Sequence, residues 1–153
     1  MGMKGFLAIA VASFLLATTG SNVFARMTVG GQNLGPALSD HFYWAGVQFI
    51  ATILLFLPFG FLAVIGSWLE EKANRLKAIF VFCLPTLYLI YSYFEGYQAA
   101  KVAELGRHRT AATLSIGFLP FAAVPIVLLA WLVGYVVIRF NRKSQTAALA
   151  DQD

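Results

Sequence analysis

Long apolar runs constrain this chain more than any other feature of its sequence. Residues 5–25, 42–69 and 110–138 carry no charged side chain, and residues 78–97 carry a single one, Glu95. A membrane-spanning helix needs about 20 mostly apolar residues to cross about 30 Å of hydrocarbon. The composition agrees, because 59% of the residues are hydrophobic and only 12% are charged. The sequence therefore predicts an all-α membrane protein.

The first apolar run is also typical of a secretory signal. It follows Lys4 and ends in Val23-Phe24-Ala25, which places small residues where a signal peptidase reads them. We therefore predict that residues 1–25 are a signal peptide and that the mature chain begins at Arg26. The run is also long enough to cross a bilayer as an uncleaved signal anchor. The predicted fold is a three-helix transmembrane bundle preceded by a signal peptide, or four helices if the signal is retained.

The remaining runs predict the membrane domain, residues 26–143. Ser67-Trp68-Leu69-Glu70 matches a capping box, which indicates that a new helix starts just after Gly66. Phe42, Tyr43 and Trp44 are expected to anchor the first helix at the membrane–water interface. The predicted helices are residues 42–66, residues 68–105 with the membrane part at 78–97, and residues 110–138, followed by a polar cytoplasmic tail at 144–153.

The distribution of basic residues predicts the orientation. Six basic residues near the helix ends fall on one side of the predicted bundle and four on the other. Because cytoplasmic loops are enriched in lysine and arginine, the C-terminus is expected in the cytoplasm and the mature N-terminus outside, in the inner membrane of a bacterium. The basic residues form no continuous stripe, so we expect no nucleic-acid partner. The expected partners are the lipid bilayer and other membrane subunits.

Internal prolines occur in every predicted mature helix. They are Pro58, Pro85, Pro120 and Pro125. Proline removes a backbone donor and bends a helix, so these positions are candidate kinks that could open a cavity between helices. The alternative is that membrane helices tolerate proline because neighbouring groups satisfy the freed carbonyls.

Polar side chains cluster toward the predicted outer end of the bundle. Tyr88, Tyr91, Glu95 and Gln98 are spaced three or four residues apart, which places them on one helix face. We expect Gln48 at a similar depth, and loops to bring further polar residues above it: Asp40, His41, Glu104, Arg107, His108 and Arg109. These residues form a candidate outward-facing interaction site. In the alternative interpretation they only hold helices together or extend toward the headgroups.

No motif in the sequence indicates catalysis or a bound cofactor. His41 and His108 lie in separate loops without metal-ligand spacing, and the single cysteine, Cys83, cannot form a pair within the chain. We therefore expect no cofactor and no metal. The favoured function is a non-enzymatic subunit, assembly factor or immunity-type binding partner of a membrane complex. The alternatives are a small oligomeric transporter or channel with its polar site around Glu95, and a membrane enzyme that uses His41 and His108.

Overall fold

The computed structural model describes residues 1–150, apart from the side chains of residues 109 and 142–150. This part of the chain is helical, and its α-helices are α1 (Gly2–Leu15), α2 (Ser21–Thr28), α3 (Leu34–Val47), α4 (Phe49–Lys72), α5 (Arg75–Leu105), α6 (Arg109–Gly117), α7 (Leu119–Ala122) and α8 (Val124–Ala150). A π-helical turn, Leu16–Gly20, joins α1 to α2 without interrupting their common path.

Four helical segments are long and apolar enough to cross a membrane, among the residues described. They are Gly2–Thr28, Phe49–Lys72, Arg75–Leu105 and Thr110–Asn141. The prediction of an all-α membrane fold is confirmed. The structure takes the four-helix form of that prediction, because the N-terminal segment packs within the bundle.

Helix α1 packs antiparallel against α4 through one buried face. Phe6, Ala10 and Phe14 recur every four residues along this face, as a helix requires, and all three are buried. The ring of Phe6 occupies the space over Gly66, where an added Cβ would lie 2.9 Å from two ring carbons. Phe14 meets Phe56 edge-on, with ring centroids 5.3 Å apart. Close packing of this kind makes α1 part of the hydrophobic core.

The N-terminal end of α1 is also held by charge. The α-ammonium group of Met1 lies 2.6 Å from a carboxylate oxygen of Glu70, and the Gly2 amide donates to the other oxygen at 2.6 Å. Arg75, at the start of α5, approaches the same carboxylate at 3.8 Å. The start of α1, the end of α4 and the start of α5 therefore meet at one acidic side chain.

The boundary between the second and third spans differs from the prediction. Helix α4 continues through Gly66 and the expected capping box to Lys72, and α5 begins only at Arg75. Asn74 caps α5, because its side-chain oxygen accepts a hydrogen bond from the Leu76 amide at 2.7 Å. Gly66 serves helix packing instead of helix termination, since Phe6 fills the space that a side chain would need.

The start of the second span also differs. The sequence predicts one helix from residue 42, whereas the structure has α3 and α4 separated at Gln48, whose φ of −104° and ψ of 42° are not helical. The Thr52 hydroxyl donates to the carbonyl of Ala45 at 3.2 Å, which satisfies a group that the break leaves free.

A tyrosine in the middle of the bundle joins α5 to α4. Tyr93 is fully buried and its hydroxyl donates to the Leu55 carbonyl at 2.7 Å. Leu55 lies in the turn before Pro58, next to Leu54, whose carbonyl the proline leaves without its helical donor. The tyrosine bond therefore ties α5 to α4 at the turn where the helix ladder lacks one hydrogen bond. The ring of Tyr93 also meets the ring of Phe59 edge-on, with ring centroids 5.4 Å apart.

The last span is interrupted twice, at two of the four predicted kinks. The α-helical path breaks at Phe118 and Ala123, each two residues before a proline, Pro120 and Pro125. The helices α4 and α5 continue without a break past Pro58 and Pro85. Leu119 packs closely on Gly96 of α5: a Cβ added at Gly96 would lie 2.6 Å from the Cδ2 atom of Leu119. The predicted polar tail at 144–153 starts within α8, and its last three residues lie outside the described part.

Candidate functional site

A network of polar side chains links α2, the following turn and α3 at the end of the bundle opposite Met1 and Glu70. Arg26 donates to Asp40 of α3 at 3.0 Å and to Asn22, one turn back on α2, at 2.7 Å. The amide nitrogen of Gln32 donates to the same oxygen of Asp40 at 3.1 Å. The arginine side chain is 15% exposed, so its charge is largely removed from solvent and requires these partners.

His41 occupies a second, deeper position on the same side of α3. Its Nε2 atom lies 3.0 Å from the hydroxyl oxygen of Thr19, which belongs to the π-helical turn. Such turns widen a helix locally and occur often at functional sites. Burial, and then the positive charge of Arg26, lower the pKa of His41 below its ordinary value of 6.5. The structure therefore favours the neutral imidazole.

We expect this histidine to make the fold sensitive to acid. Its pKa is lower in the folded than in the unfolded chain, so the unfolded chain binds more protons between those two values. The free energy of unfolding should be constant above the unfolded pKa, fall as the pH decreases below about 6.5, and level off below the folded pKa. Denaturation of the reconstituted protein at pH 7.5 and pH 5 measures the difference.

The matched control for this test is the other histidine of the chain. His108 is exposed in the turn between α5 and α6. His41→Gln should flatten the pH dependence, whereas His108→Gln should leave it unchanged. An equal effect of both substitutions would contradict the assignment to His41.

Among the described side chains, no hydrogen bond or ion pair joins the other predicted outer-loop residues to Asp40 or His41. Glu104 accepts from Lys101, three residues back on its own helix, at 2.9 Å. Arg107 and His108 are exposed, and Arg107 has a φ of 64°, the left-handed conformation that ends α5. The side chain of Arg109 lies outside the described residues.

The polar stripe predicted on α5 is real but faces outward. Tyr88, Tyr91 and Glu95 are all exposed, and Glu95 has no hydrogen bond or ion pair to any described side chain. Within the described part of the chain, Glu95 therefore pairs with neither Arg107 nor His108. The ring centroid of the neighbouring Phe94 lies 5.4 Å from that of Phe24, which sets Glu95 near the C-terminal end of the first span.

Two further predicted residues flank this stripe without joining it. The side-chain nitrogen of Gln98 is buried and makes no hydrogen bond to a described group. Gln48 is exposed at the break between α3 and α4. The single polar layer that the sequence suggested is therefore divided between an inward cluster on α3 and an outward stripe on α5.

An open apolar groove runs between α5 and α8, below this stripe. It encloses about 460 Å³. Its walls include Phe80, Leu84 and Tyr88 of α5 and Leu129 and Val133 of α8. Tyr88 belongs to both features, so Tyr91 and Glu95 lie one and two turns beyond the groove on the same face of α5.

A second groove lies on α1 and α4 and encloses about 370 Å³. Leu7, Phe61 and Val64 line it, and no titratable side chain does. The two grooves are therefore chemically distinct, because of the two only the groove between α5 and α8 has a tyrosine, Tyr88, in its lining.

Several residues of these clusters were not singled out from the sequence. Thr19 and Arg26 hold α3, and Tyr93 joins α4 to α5. In the sequence, only charge could have indicated the pairing of Arg26 with Asp40. Arg26 directly follows the first apolar run, and Asp40 is the next charged residue along the chain. Within the described residues, no three histidine, cysteine, aspartate or glutamate side chains are grouped so as to hold a metal ion.

Comparison of the chain with protein-family models, with curated proteins and with solved structures finds no match. The arguments for function therefore rest on the geometry of this chain alone.

Proposed function

We propose that this protein is a non-enzymatic binding subunit of a membrane complex and that it receives a transmembrane helix of its partner between α5 and α8. The observation that carries the proposal is that the apolar groove and a carboxylate share one face of α5. The lining of the groove ends at Tyr88, Glu95 lies two turns further along the same face, and Glu95 has no partner among the described side chains.

Helix association in lipid does not depend on the burial of apolar surface. Apolar surface is already solvated by lipid tails, so helices associate through close packing and hydrogen bonds. The groove provides a shape for packing, and Tyr88, Tyr91 and Glu95 provide hydrogen-bonding groups on one face. An ionised carboxylate at the membrane boundary is most stabilised by an opposite charge. The partner is therefore a membrane helix with a lysine or arginine at the height of Glu95.

Site-specific photocrosslinking in native membranes tests this interface. A photoreactive phenylalanine analogue replaces Leu84 in the groove between α5 and α8. The matched control places it at Phe61 in the second groove, because both side chains are well exposed, at 65% and 56%. We expect a discrete adduct with another membrane protein from position 84 and none from position 61.

Charge reversal makes the test specific. Glu95→Lys should lower the yield of the adduct by about tenfold, and an opposite change at the basic residue mapped on the partner should restore it. Glu71→Lys is the control, because Glu71 is an exposed glutamate at the other end of the bundle. An adduct between two copies of this chain would overturn the proposal in favour of an oligomeric transporter or channel. Equal adducts from both grooves would also overturn it.

We further propose an orientation in the inner membrane of a bacterium. It places the turn between α2 and α3 and the turn after α5 outside, and the turn between α4 and α5 in the cytoplasm. The excess of basic residues near the α4–α5 turn and the end of α8 supports it.

Labelling of introduced cysteines in a Cys83→Ser background tests this orientation. A cysteine at Gly35, which is exposed and has open space around it, should react with an impermeant thiol reagent in intact cells. A cysteine at Glu71 should react only after the membrane is opened. The reverse pattern would exclude the proposed orientation.

A further inference from the structure

Both ends of α3 are held at the same height in the bundle. At its start, the Gln32 amide donates to the Arg26 carbonyl at 3.0 Å, so the chain enters α3 at the outer end of the first span. At its end, Gln48 leads directly into α4. The height of Gln48 therefore follows from how α4 pairs with the first span.

That pairing has a definite register. Phe6 lies against Gly66, and Phe14 contacts both Phe56 and Phe59, so the two segments run antiparallel. Extending the register to the outer end of α4 brings Gln48 beside the last turns of α2, close to Arg26. A helix of 14 residues is about 21 Å long. Since both of its ends lie at one height, α3 runs along the membrane surface instead of across the membrane.

The buried and exposed side chains of α3 differ in chemistry. Ala37 and His41, one turn apart, are buried against the bundle. The ionisable residues of α3, Asp40 and His41, are both bonded to the first span. Large side chains in the last turns of α3 are 50–66% exposed: Phe42, Tyr43, Trp44 and Val47. Phe42 and Tyr43 lie away from Ala37 and His41, and Trp44 continues the line of Ala37 and His41 toward the end of the helix.

We propose that α3 is an interfacial helix whose exposed aromatic side chains insert into the boundary between headgroups and acyl chains of the outer leaflet. Tyrosine and tryptophan favour this boundary because an apolar ring and a polar group are both accommodated there. The occupant of this surface is lipid, because the helix is continuous with two spans that end at this height and the exposed large side chains of its last turns are uncharged. Asp40, whose side chain is 46% exposed, is paired with Arg26. The polar bonds of Arg26 and His41 then fix the helix in the interface. This inference does not depend on the proposed partner.

Depth-dependent quenching of tryptophan fluorescence tests the proposal on the full chain in vesicles of phosphatidylcholine. The chain has three tryptophans. The variant Trp68→Phe/Trp131→Phe leaves Trp44 as the only tryptophan, and Trp44→Phe/Trp68→Phe leaves Trp131, an exposed residue within the last span. Each is measured with lipids brominated near the carbonyl end or near the methyl end of the acyl chain, and with aqueous iodide.

We expect Trp44 to be quenched at least twofold more by the shallow bromines than by the deep ones, and Trp131 to show the opposite order. Weak quenching of Trp44 by iodide is also expected. Strong iodide quenching with none from either lipid would overturn the proposal, because α3 would then lie in water. The same depth profile for Trp44 and Trp131 would also overturn it, because α3 would then continue the span. Purified vesicles contain no partner protein, so these results are separate from the crosslinking test.

Discussion

Replacing Gly66 by leucine is expected to displace α1 from the bundle. An added Cβ at this position would lie 2.9 Å from two carbons of the Phe6 ring and 3.3 Å from the Cβ of Phe82. Phe6 is fully buried and Phe82 nearly so, so neither ring can move without opening the core. We expect the free energy of unfolding to fall by about 3 kcal/mol, the upper range for overpacking a core.

Reversible unfolding of the reconstituted protein measures this loss. Gly117→Leu is the matched control, because Gly117 is an exposed helical glycine with open space around it, and it should change stability by less than about 1 kcal/mol. Phe6→Ala in the Gly66→Leu chain should recover part of the loss by removing the ring that collides. Failure of this rescue, with equal effects of Gly66→Leu and Gly117→Leu, would contradict the packing of α1 on α4.

Removing residues 1–25 is expected to prevent the bundle from folding, and the protein isolated from membranes should therefore retain them. Cleavage before Arg26 would remove Phe6 and Phe14 from the core, and truncation of one buried phenylalanine costs about 3–5 kcal/mol. It would also remove Thr19, the hydrogen-bond partner of His41. We therefore expect the first segment to act as a signal anchor. Intact mass of the purified protein decides this point, and a chain that begins at Arg26 would refute it.

Single substitutions show whether the first segment is needed for packing in the bundle or only for insertion into the membrane. Phe6→Ala should destabilise the protein, whereas Leu7→Ala, on the exposed side of the same helix, should have little effect. A signal needed only for insertion would tolerate both changes, because each leaves the segment apolar and long enough to span the membrane.

The sequence was most informative about the segments that must lie in lipid. Uncharged runs predicted where the chain crosses a membrane, because placing a charged side chain in hydrocarbon costs free energy in any arrangement of the helices. It was less informative about helix ends. The capping box after Gly66 lies inside α4, since apolar packing on both sides of the glycine keeps that helix continuous through Lys72. The prolines show the same limit, because Pro120 interrupts a helix and Pro85 does not.

The candidate sites were only partly predictable. The spacing of Tyr88, Tyr91 and Glu95 correctly places them on one helix face, since that follows from helix geometry. Whether the face is turned inward depends on what packs against α5, and the structure leaves it exposed. Asp40 and His41 were recognised as polar candidates, yet their partners lie 14 and 22 residues away. Arg26 was predicted only as the start of the mature chain, and Thr19 lies in the segment interpreted as a signal.

The sequence by itself determined that the chain is an all-helical membrane protein, where its apolar spans lie and which polar residues stand out from them. These properties depend on the transfer of side chains and backbone between water and lipid, which each segment undergoes on its own. Only the tertiary structure decided that the first span is a core helix, that α3 leaves the path of α4, and that Glu95 faces outward. Each of these depends on which helix faces which, because in lipid nearly every side of a span is apolar and hydropathy does not distinguish a buried face from an exposed one.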